Sequence, residues 1–351
     1  MPTQHSLADH FWADDVILAV HGGAGAMCRT KMSPEKEAAF RAGLLEALNV
    51  GAEVLKAGGE ALDAVEKAII SLEECPHFNA GKGAVLTGEG WAELDASLMR
   101  GKDRRAGAVA GLTIVRNPIK LARVVLEETP YVLLMGQGAE QLATALDLEL
   151  VSQHFFLTPE RWEQLKEAQE HEALLLAKIK QEYAEADAAA AAAAALAAEA
   201  AQVEPSSPEH IRHKMGTVGA VALDNHGHLA AGTSTGGMCN KRFGRVGDTP
   251  LVGSGVFAWD ETCAVSCTGH GEYFIQGVIA HDVSIRMELL GCSVWEAAEA
   301  AIFGRLASLK GTGGLIALDR LGRLAMPYNT SGLHRAYLRR DGSYGVQIWE
   351  D

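Results

Sequence analysis

The stretch HKMGTVGAVALDNHGHLAAGTSTGGMCNKRFGRVGDTPLVGSG, residues 213–255, carries the strongest indications of both architecture and chemistry in this chain. Thr217 opens a run typical of a β-hairpin, and a hydroxyl cluster at 233–235 ends the return strand. A threonine becomes a nucleophile when its own α-amine, with an ordinary pKa of about 8, takes the hydroxyl proton. Because Thr217 lies deep inside the chain, that chemistry first requires cleavage of the Gly216–Thr217 bond.

The pattern of the hairpin recurs nearer the C-terminus, where GLIALDRLGRLA at 314–325 resembles GAVALDNHGHLA at 219–230. Upstream, the apolar run 16–20 predicts a buried strand that enters the glycine-rich turn HGGAG. Strands interleaved with helices favour a layered α/β domain. The other predicted helices cover about 34–56, 61–72, 121–128, 139–146, 272–289 and 294–309, and the other predicted strands cover 106–115, 252–258 and 263–266.

Composition narrows the class of protein. The 351 residues are 48% hydrophobic with a net charge of -14, which argues against a nucleic-acid binder with a basic face. The six cysteines are scattered, so a disulfide scaffold is not expected. We find no apolar run of about 20 residues and no leader pattern, and we therefore expect a cytoplasmic protein without a membrane span.

A change of composition divides the chain. Residues 159–214 are helix-forming and low in complexity, and 188–195 are all alanine. We interpret this segment as an exposed tether, either a flexible arm that allows cleavage or an inert insertion. It separates the body of a first part, 1–216, from a second part, 217–351, in a single composite domain.

Two further motifs carry polar side chains suited to a binding pocket. In GRVGD, Arg245 can grip a carboxylate with its planar fork, and Asp248 can hold an ammonium group, although an ordinary salt bridge would show the same residues. In SCTGHGE, Thr268 and the N–H of Gly269 can form an oxyanion hole, although a simple strand-to-helix turn would also fit. Thr235 can orient the Thr217 hydroxyl.

Competing sites are weaker. The glycine loops lack the phosphate-binding pattern G-x-x-x-x-G-K-[ST]. Cys263, Cys267 and His270 lack a familiar zinc spacing, and a cysteine nucleophile with His270 as its base has equally little support.

Taken in order, these motifs resemble those of the plant-type asparaginases, also called isoaspartyl peptidases, of the N-terminal nucleophile hydrolase superfamily. The resemblance covers nearly all of the chain except its first residues and the tether. Its motifs are HGGAG at 21–25, NAG at 79–81, Thr217, Thr235, GRVGD at 244–248, TGHGE at 268–272 and the hairpin near Leu315.

The resemblance implies a four-layer αββα sandwich and self-cleavage into an α chain and a β chain that stay together, usually as a dimer of such pairs. It implies hydrolysis of L-asparagine or β-aspartyl peptides without a catalytic cofactor. The implied site consists of Thr217 as nucleophile, Thr235 and Asn79 near it, Arg245 and Asp248 on the substrate head group, Thr268 and Gly269 as oxyanion hole, and Gly271 lining the pocket.

The resemblance also implies a structural sodium ion, held by backbone carbonyls in the loop after the second helix. The implied ligands are Leu72, Glu73, Cys75, Phe78, Ala80 and Lys82.

Three alternatives remain open at the level of sequence. One is a glycosylasparaginase or an aspartate-directed threonine protease on the same scaffold. Another is an uncleaved, non-enzymatic binding protein. The third is the cysteine hydrolase that would use Cys267.

Overall fold

The computed structural model describes residues 12–25, 29–196 and 216–349. Its strands are β1 (Trp12–Ala13), β2 (Val16–Ala24), β3 (Leu94–Arg100), β4 (Ala106–Leu112), β5 (Leu133–Met135), β6 (Val218–Leu223), β7 (Leu229–Thr235), β8 (Val256–Ala258), β9 (Cys263–Gly269), β10 (Gly313–Asp319), β11 (Leu324–Ala325), β12 (Leu333–Arg339) and β13 (Tyr344–Gln347). Its helices are α1 (Pro34–Lys56), α2 (Ala61–Glu74), α3 (Pro118–Glu128), α4 (Gly136–Ala145), α5 (Pro159–Leu196), α6 (Gly271–Gly277), α7 (Ile279–Leu290) and α8 (Val294–Glu299).

Local signals explain where the helices begin. The Ser33 side chain accepts a hydrogen bond from the Lys36 N–H, and Pro34 occupies the first turn of α1. Ser293 and Glu296 form a reciprocal capping box at α8. No helix in the described ranges is long and apolar enough to cross a membrane.

The strands form two sheets. The larger has the order β13-β12-β2-β6-β7-β3-β4-β5, and the smaller has the order β1-β11-β10-β9-β8. Both predicted hairpins are confirmed, as β6–β7 in the larger sheet and β10–β11 in the smaller one. In the first hairpin Val218 pairs with Ser234 and Gly219 with Thr233, so the two hydroxyl-bearing ends meet at one edge of the molecule.

Packing follows the alternation of side chains along each strand. On β6, Ala220 and Ala222 join a core shared with α1 and α2, whereas Val221 and Leu223 join a core shared with β9, β10 and α8. Helices α1, α2 and α3 contact the larger sheet, α7 and α8 contact the smaller one, and β6 and β7 contact β9. The expected mixed α/β class is confirmed.

Three predicted elements need correction. The helix expected over 294–309 is α-helical as α8 and continues as a π-helix over Ala300–Leu306. The helix expected over 272–289 is broken at Val278, which adopts a left-handed φ of 49° and separates α6 from α7. The strand expected over 252–258 is reduced to β8, because hydrogen-bonded turns from Asp248 to Gly255 occupy its first half.

The predicted tether also differs from expectation at its beginning. It forms α5, and the first turns of this helix are packed against the body: Leu165 is only 3% exposed. The guanidinium of Arg161 donates to the Gly83 carbonyl at 2.6 Å and to the His77 carbonyl at 3.1 Å. The alanine run lies in the last turns of α5, and the remainder of the tether, 197–214, lies outside the described residues.

Candidate active site

Thr217 lies immediately before β6, beside the end of β7. The register of the hairpin places it opposite Thr235, and its Oγ1 donates a hydrogen bond to Thr235 Oγ1 at 3.2 Å. The residue is 5% exposed, so its hydroxyl is shielded from bulk water. The structure therefore brings together the two threonines that the sequence singled out.

The carbonyl of Gly216 accepts two hydrogen bonds. One comes from Asn79 Nδ2 at 2.6 Å and the other from Thr235 Oγ1 at 3.2 Å. Two donors on one carbonyl oxygen are what a developing oxyanion requires. The hydroxyls of Thr217 and Thr235 thus form consecutive hydrogen bonds that end on the carbonyl oxygen of Gly216, the residue before Thr217.

The amide of Asn79 is held in one orientation. Its Nδ2 also donates to the Gly237 carbonyl at 2.8 Å, and its Oδ1 accepts from the Val85 N–H at 2.8 Å. The Gly237 N–H in turn donates to Thr235 Oγ1 at 3.0 Å. The loop after α2 is thereby tied to the end of β7.

Arg245 and Asp248 line the same cavity as Thr217. Arg245 Nε and Nη2 donate to the two carboxylate oxygens of Glu272 at 2.9 and 3.0 Å. Burial raises the pKa of Asp248 to about 7, against the opposing charge of Arg245. Its Oδ2 has no hydrogen-bond partner among the described residues, so it can accept one from a ligand.

Glu272 is a site residue that the sequence analysis did not identify. Burial raises its pKa, but hydrogen bonds from His270 and Arg245 outweigh burial and lower the pKa overall, so the carboxylate stays charged. The only signal in the sequence is an acidic residue after a glycine-rich turn. Its partner Arg245 is 27 positions away, and their pairing is a consequence of the fold.

Thr268 and Gly269 end β9. Thr268 is fully buried, and its Oγ1 accepts a hydrogen bond from the Ala24 N–H at 3.1 Å, which leaves its own proton free to be donated elsewhere. Gly269 has a φ of 149°, and a side chain there would lie 2.5 Å from Gly313 Cα. Only glycine suits this position.

Gly271 leaves space beside Arg245 and Asp248. A methyl group at this position would lie 2.8 Å from Asp248 Oδ1 and 2.9 Å from Arg245 Nη2. The cavity is open to solvent and spans about 250 Å³ including the solvent space at its mouth. It is lined by Gly216, Thr217, Thr235, Gly237, Met238, Arg245, Gly247, Asp248, Thr249 and Gly269.

The predicted sodium loop adjoins this site through Asn79. Methyl groups at Gly81 and Gly83 would overlap the carbonyl oxygens of Glu73 and Phe78, respectively, so the glycines let these oxygens approach the loop closely. The carbonyls of Leu72 and Ala80 accept turn hydrogen bonds from the Cys75 and Gly83 N–H groups, which leaves each a second lone pair. This carbonyl-rich cradle fits a hard cation.

The cysteine alternatives are not favoured. Burial raises the pKa of the Cys267 thiol well above its ordinary value, so the thiolate is suppressed. His270 Nε2 faces Glu272 at 3.2 Å. Among the residues that the structure describes, no group of three His, Cys, Asp or Glu side chains is arranged to hold a metal ion.

Comparison with known proteins shows which family the chain matches. A family described as Asparaginase matches residues 14–348. The chain is 45% identical to an isoaspartyl peptidase of Escherichia coli (strain K12) over 321 residues, 92% of each protein. It is 38% identical to an isoaspartyl peptidase/L-asparaginase of Bos taurus over 317 residues, 90% of this chain and 91% of the relative.

Proposed function

We infer that this chain, which belongs to the asparaginase family matched over residues 14–348, hydrolyses L-asparagine and the β-aspartyl bond of isoaspartyl peptides. The observation that carries this conclusion is the distribution of polar groups in one cavity. Arg245, Asp248 and Thr217 all line it.

The substrate class follows from the charges of the cavity. An α-carboxylate suits the guanidinium of Arg245, and an α-ammonium suits the unsatisfied oxygen of Asp248. A substrate held by both groups directs its side-chain carbonyl toward Thr217. Glu272 acts as a positioning residue because it holds the Arg245 guanidinium in one orientation.

We propose that the chain first cleaves itself at Gly216–Thr217. The Thr217 Oγ1 attacks the Gly216 carbonyl carbon, the C–N bond breaks, and an ester to Thr217 forms with a free α-amine. Asn79 Nδ2 and Thr235 Oγ1, which both donate to that carbonyl in the uncut chain, stabilise the oxyanion. Water then hydrolyses the ester, leaving the Gly216 carboxylate and a free Thr217 hydroxyl.

The same hydroxyl then acts on the substrate. The α-amine of Thr217 takes the hydroxyl proton as Oγ1 attacks the side-chain carbonyl, and Thr268 and Gly269 hold the resulting oxyanion. Ammonia or an amino acid leaves with a proton. Water then cleaves the acyl-enzyme and releases aspartate.

The proposed architecture is the four-layer αββα sandwich. It is supported by the contacts of α1, α2 and α3 with the larger sheet, of β6 and β7 with β9, and of α7 and α8 with the smaller sheet. In this proposal the outer layers are helical and the site lies where the two sheets meet.

A structural sodium ion is part of the proposal. The residues that would hold it are Leu72, Glu73, Cys75, Phe78, Ala80 and Lys82, through their carbonyls. Bound there, it supplies positive charge that holds these carbonyls together, and so stabilises the loop that carries Asn79.

We further propose a cytoplasmic enzyme that assembles as a dimer of α/β pairs. No disulfide joins the cysteines of the described residues, as expected in a reducing compartment: Cys75, Cys239, Cys263, Cys267 and Cys292.

The decisive experiment compares Thr217→Ala with Thr217→Ser. We expect the alanine variant to remain a single full-length species by intact mass and to be inactive on a β-aspartyl dipeptide. The serine variant, which keeps a hydroxyl, should be cut and retain part of the activity. An alanine variant that was still cut at Gly216, or still active, would refute the proposal. Greater activity of the parent enzyme on glycosylated asparagine than on the β-aspartyl dipeptide would favour the glycosylasparaginase alternative.

A further inference from the structure

A buried polar layer lies beneath the candidate nucleophile, between the two sheets. It consists of His21 on β2, Thr233 on β7 and Ser266 on β9. Ser266 Oγ is 2.8 Å from His21 Nε2 and 2.9 Å from Thr233 Oγ1. All three residues are fully buried. Since β2 and β7 belong to the larger sheet and β9 to the smaller one, these hydrogen bonds bridge the sheets.

A glycine makes room for this layer. In the larger sheet His21 pairs with Gly219, and Gly219 pairs with Thr233. A methyl group at Gly219 would overlap Ser266 Oγ and lie 2.5 Å from His21 Nε2. Ser266 therefore reaches the larger sheet through the gap that Gly219 leaves.

The polar layer has a fixed relation to the site. Residues two positions apart on a strand face the same side of the sheet. Gly219 is two residues from Thr217, Thr233 is two residues from Thr235, and Ser266 is two residues from Thr268. The layer thus lies next to Thr217, Thr235 and Thr268, displaced from them by two residues along each strand.

We propose that the polar layer is a positioning device, which sets the spacing of the two sheets and with it the placement of the Thr217 hydroxyl relative to Thr268 and Gly269. This inference rests on the proposed function. Hydrogen bonds in the low-dielectric interior of a protein are stronger than in water, so the two that Ser266 makes to the larger sheet restrict the separation of the sheets. Misplacement of reacting groups by about 1 Å can cost roughly a hundredfold in rate.

His21 acts in this layer as a neutral group. Burial lowers its pKa to about 3, and the nearby backbone of Thr217 only partly offsets that effect. The imidazole therefore carries no charge in the neutral pH range. Its contribution is to hold Ser266 and lie against Thr217 rather than to exchange protons during turnover.

The test compares Thr233→Val with Thr233→Ser. Valine keeps the shape but removes the hydroxyl, whereas serine keeps the hydroxyl. For fully processed enzyme acting on a β-aspartyl dipeptide, we expect Thr233→Val and Ser266→Ala to lower kcat at least tenfold. KM should change less than twofold, because Arg245 and Asp248 hold the head group. Thr233→Ser should stay within threefold of the parent.

A pH profile separates positioning from proton transfer. His21→Gln should lower kcat while leaving the shape of its dependence on pH unchanged. Loss of one limb of the profile would mean instead that His21 exchanges protons in the reaction and would overturn the positioning role.

Ser284→Ala is the matched control. Ser284 forms another buried hydroxyl pair, with Thr262 at 2.6 Å, near the opposite end of β9. Ser284→Ala should lower the melting temperature without changing kcat.

If Thr233→Val and Ser266→Ala also lower the melting temperature while kcat stays within twofold of the parent, the polar layer is only structural. If Thr233→Val does not fold, Ser266→Cys replaces it with the same expectation. An active Thr217→Ala variant would refute the proposed function, whereas an inactive one with unaltered polar-layer variants would refute this inference alone.

Discussion

Among single residues, Thr217 owes its proposed chemistry to its hydrogen-bond partners. A threonine at the start of a strand is common, because β-branched side chains suit a sheet. Here its hydroxyl donates to Thr235, and the carbonyl before it accepts from both Thr235 and Asn79. Substituting any one of these partners tests a separate part of the proposed cleavage and hydrolysis.

Asn79→Leu should slow cleavage after Gly216 by about 10²–10³-fold, the usual effect of losing one oxyanion donor. The remaining donor, Thr235, should keep the reaction measurable. A time course of purified protein on a denaturing gel measures the rate. Asn240→Leu is the control, since Asn240 binds Glu172 on α5 and lies outside the cavity lining. Equal rates in the two variants would remove Asn79 from the mechanism.

The raised pKa of Asp248 predicts that substrate binding depends on pH. Its pKa in the folded protein is about 7, above the ordinary value of about 3.9, so below pH 7 the carboxyl is protonated and cannot attract an ammonium group. We expect KM to rise about tenfold per unit as pH falls below 7, and to level off above it. The dependence should disappear in Asp248→Asn. A flat KM between pH 5 and 8 in the parent would contradict this assignment.

The same group has a consequence for stability. Between about pH 4 and 7 the folded protein holds a proton on Asp248 that the unfolded chain has already released. The contribution of this residue to the free energy of unfolding therefore falls as pH rises through that window. Asp248→Asn should remove this part of the pH dependence of unfolding by denaturant.

Among the elements, α5 begins with turns that pack against the body of the protein and ends in an alanine run, and the helix-forming composition is similar in both parts. The first turns contact the loops around Gly83 and Gly88 through Arg161 and Gln169. Farther along, Glu172 pairs with Arg242, close in sequence to Arg245. The helix is thus anchored beside the site before it continues into the alanine run.

Arg161→Ala should destabilise the protein by roughly 2–4 kcal/mol, because removing the half-buried guanidinium leaves the Gly83 and His77 carbonyls without their charged donor. Lys166→Ala, on the same helix, breaks only an exposed pair with Glu163 and should cost less than about 0.5 kcal/mol. Denaturant unfolding of both variants measures the difference. Similar midpoints would show that the start of α5 contributes little to stability.

At the largest scale, the two halves of the chain are interleaved in one sheet. Strand β2 precedes Gly216 in sequence. In the sheet, however, it lies between β12 and β6, and both of these strands follow Gly216 in sequence. Likewise β7 pairs with β3 from the first half. Separating the halves would break three ladders of the larger sheet.

Cleavage at Gly216 should therefore leave both chains in one native complex, heavier than the uncut chain only by the water molecule that hydrolysis consumes. We expect native mass spectrometry of the fully cut protein to show both chains in one complex, and a denaturing gel of the same sample to separate them. The Thr217→Ala variant supplies the uncut reference. Release of a free first chain under native conditions would show that the interleaved ladders do not hold the halves together.

The sequence was sufficient for the α/β class, both hairpins and the choice of Thr217, Thr235, Arg245 and Asp248 as candidates. These features depend on alternation, turn residues and side-chain chemistry over short spans, which can be read along the chain. The helix break at Val278 was missed because a single glycine before it, Gly277, does not by itself end a helix, and helix-forming residues lie beyond it in both directions.

Contacts between distant positions required the fold. Asn79 meets Gly216 across 137 positions, and His21 meets Ser266 across 245. Such pairs arise from strand register and from the packing of one sheet on the other, and local patterns do not encode either. Thr217 could therefore be chosen as the candidate nucleophile from its neighbours along the chain, whereas the groups that hold it in place became visible only in the packed structure of the two sheets.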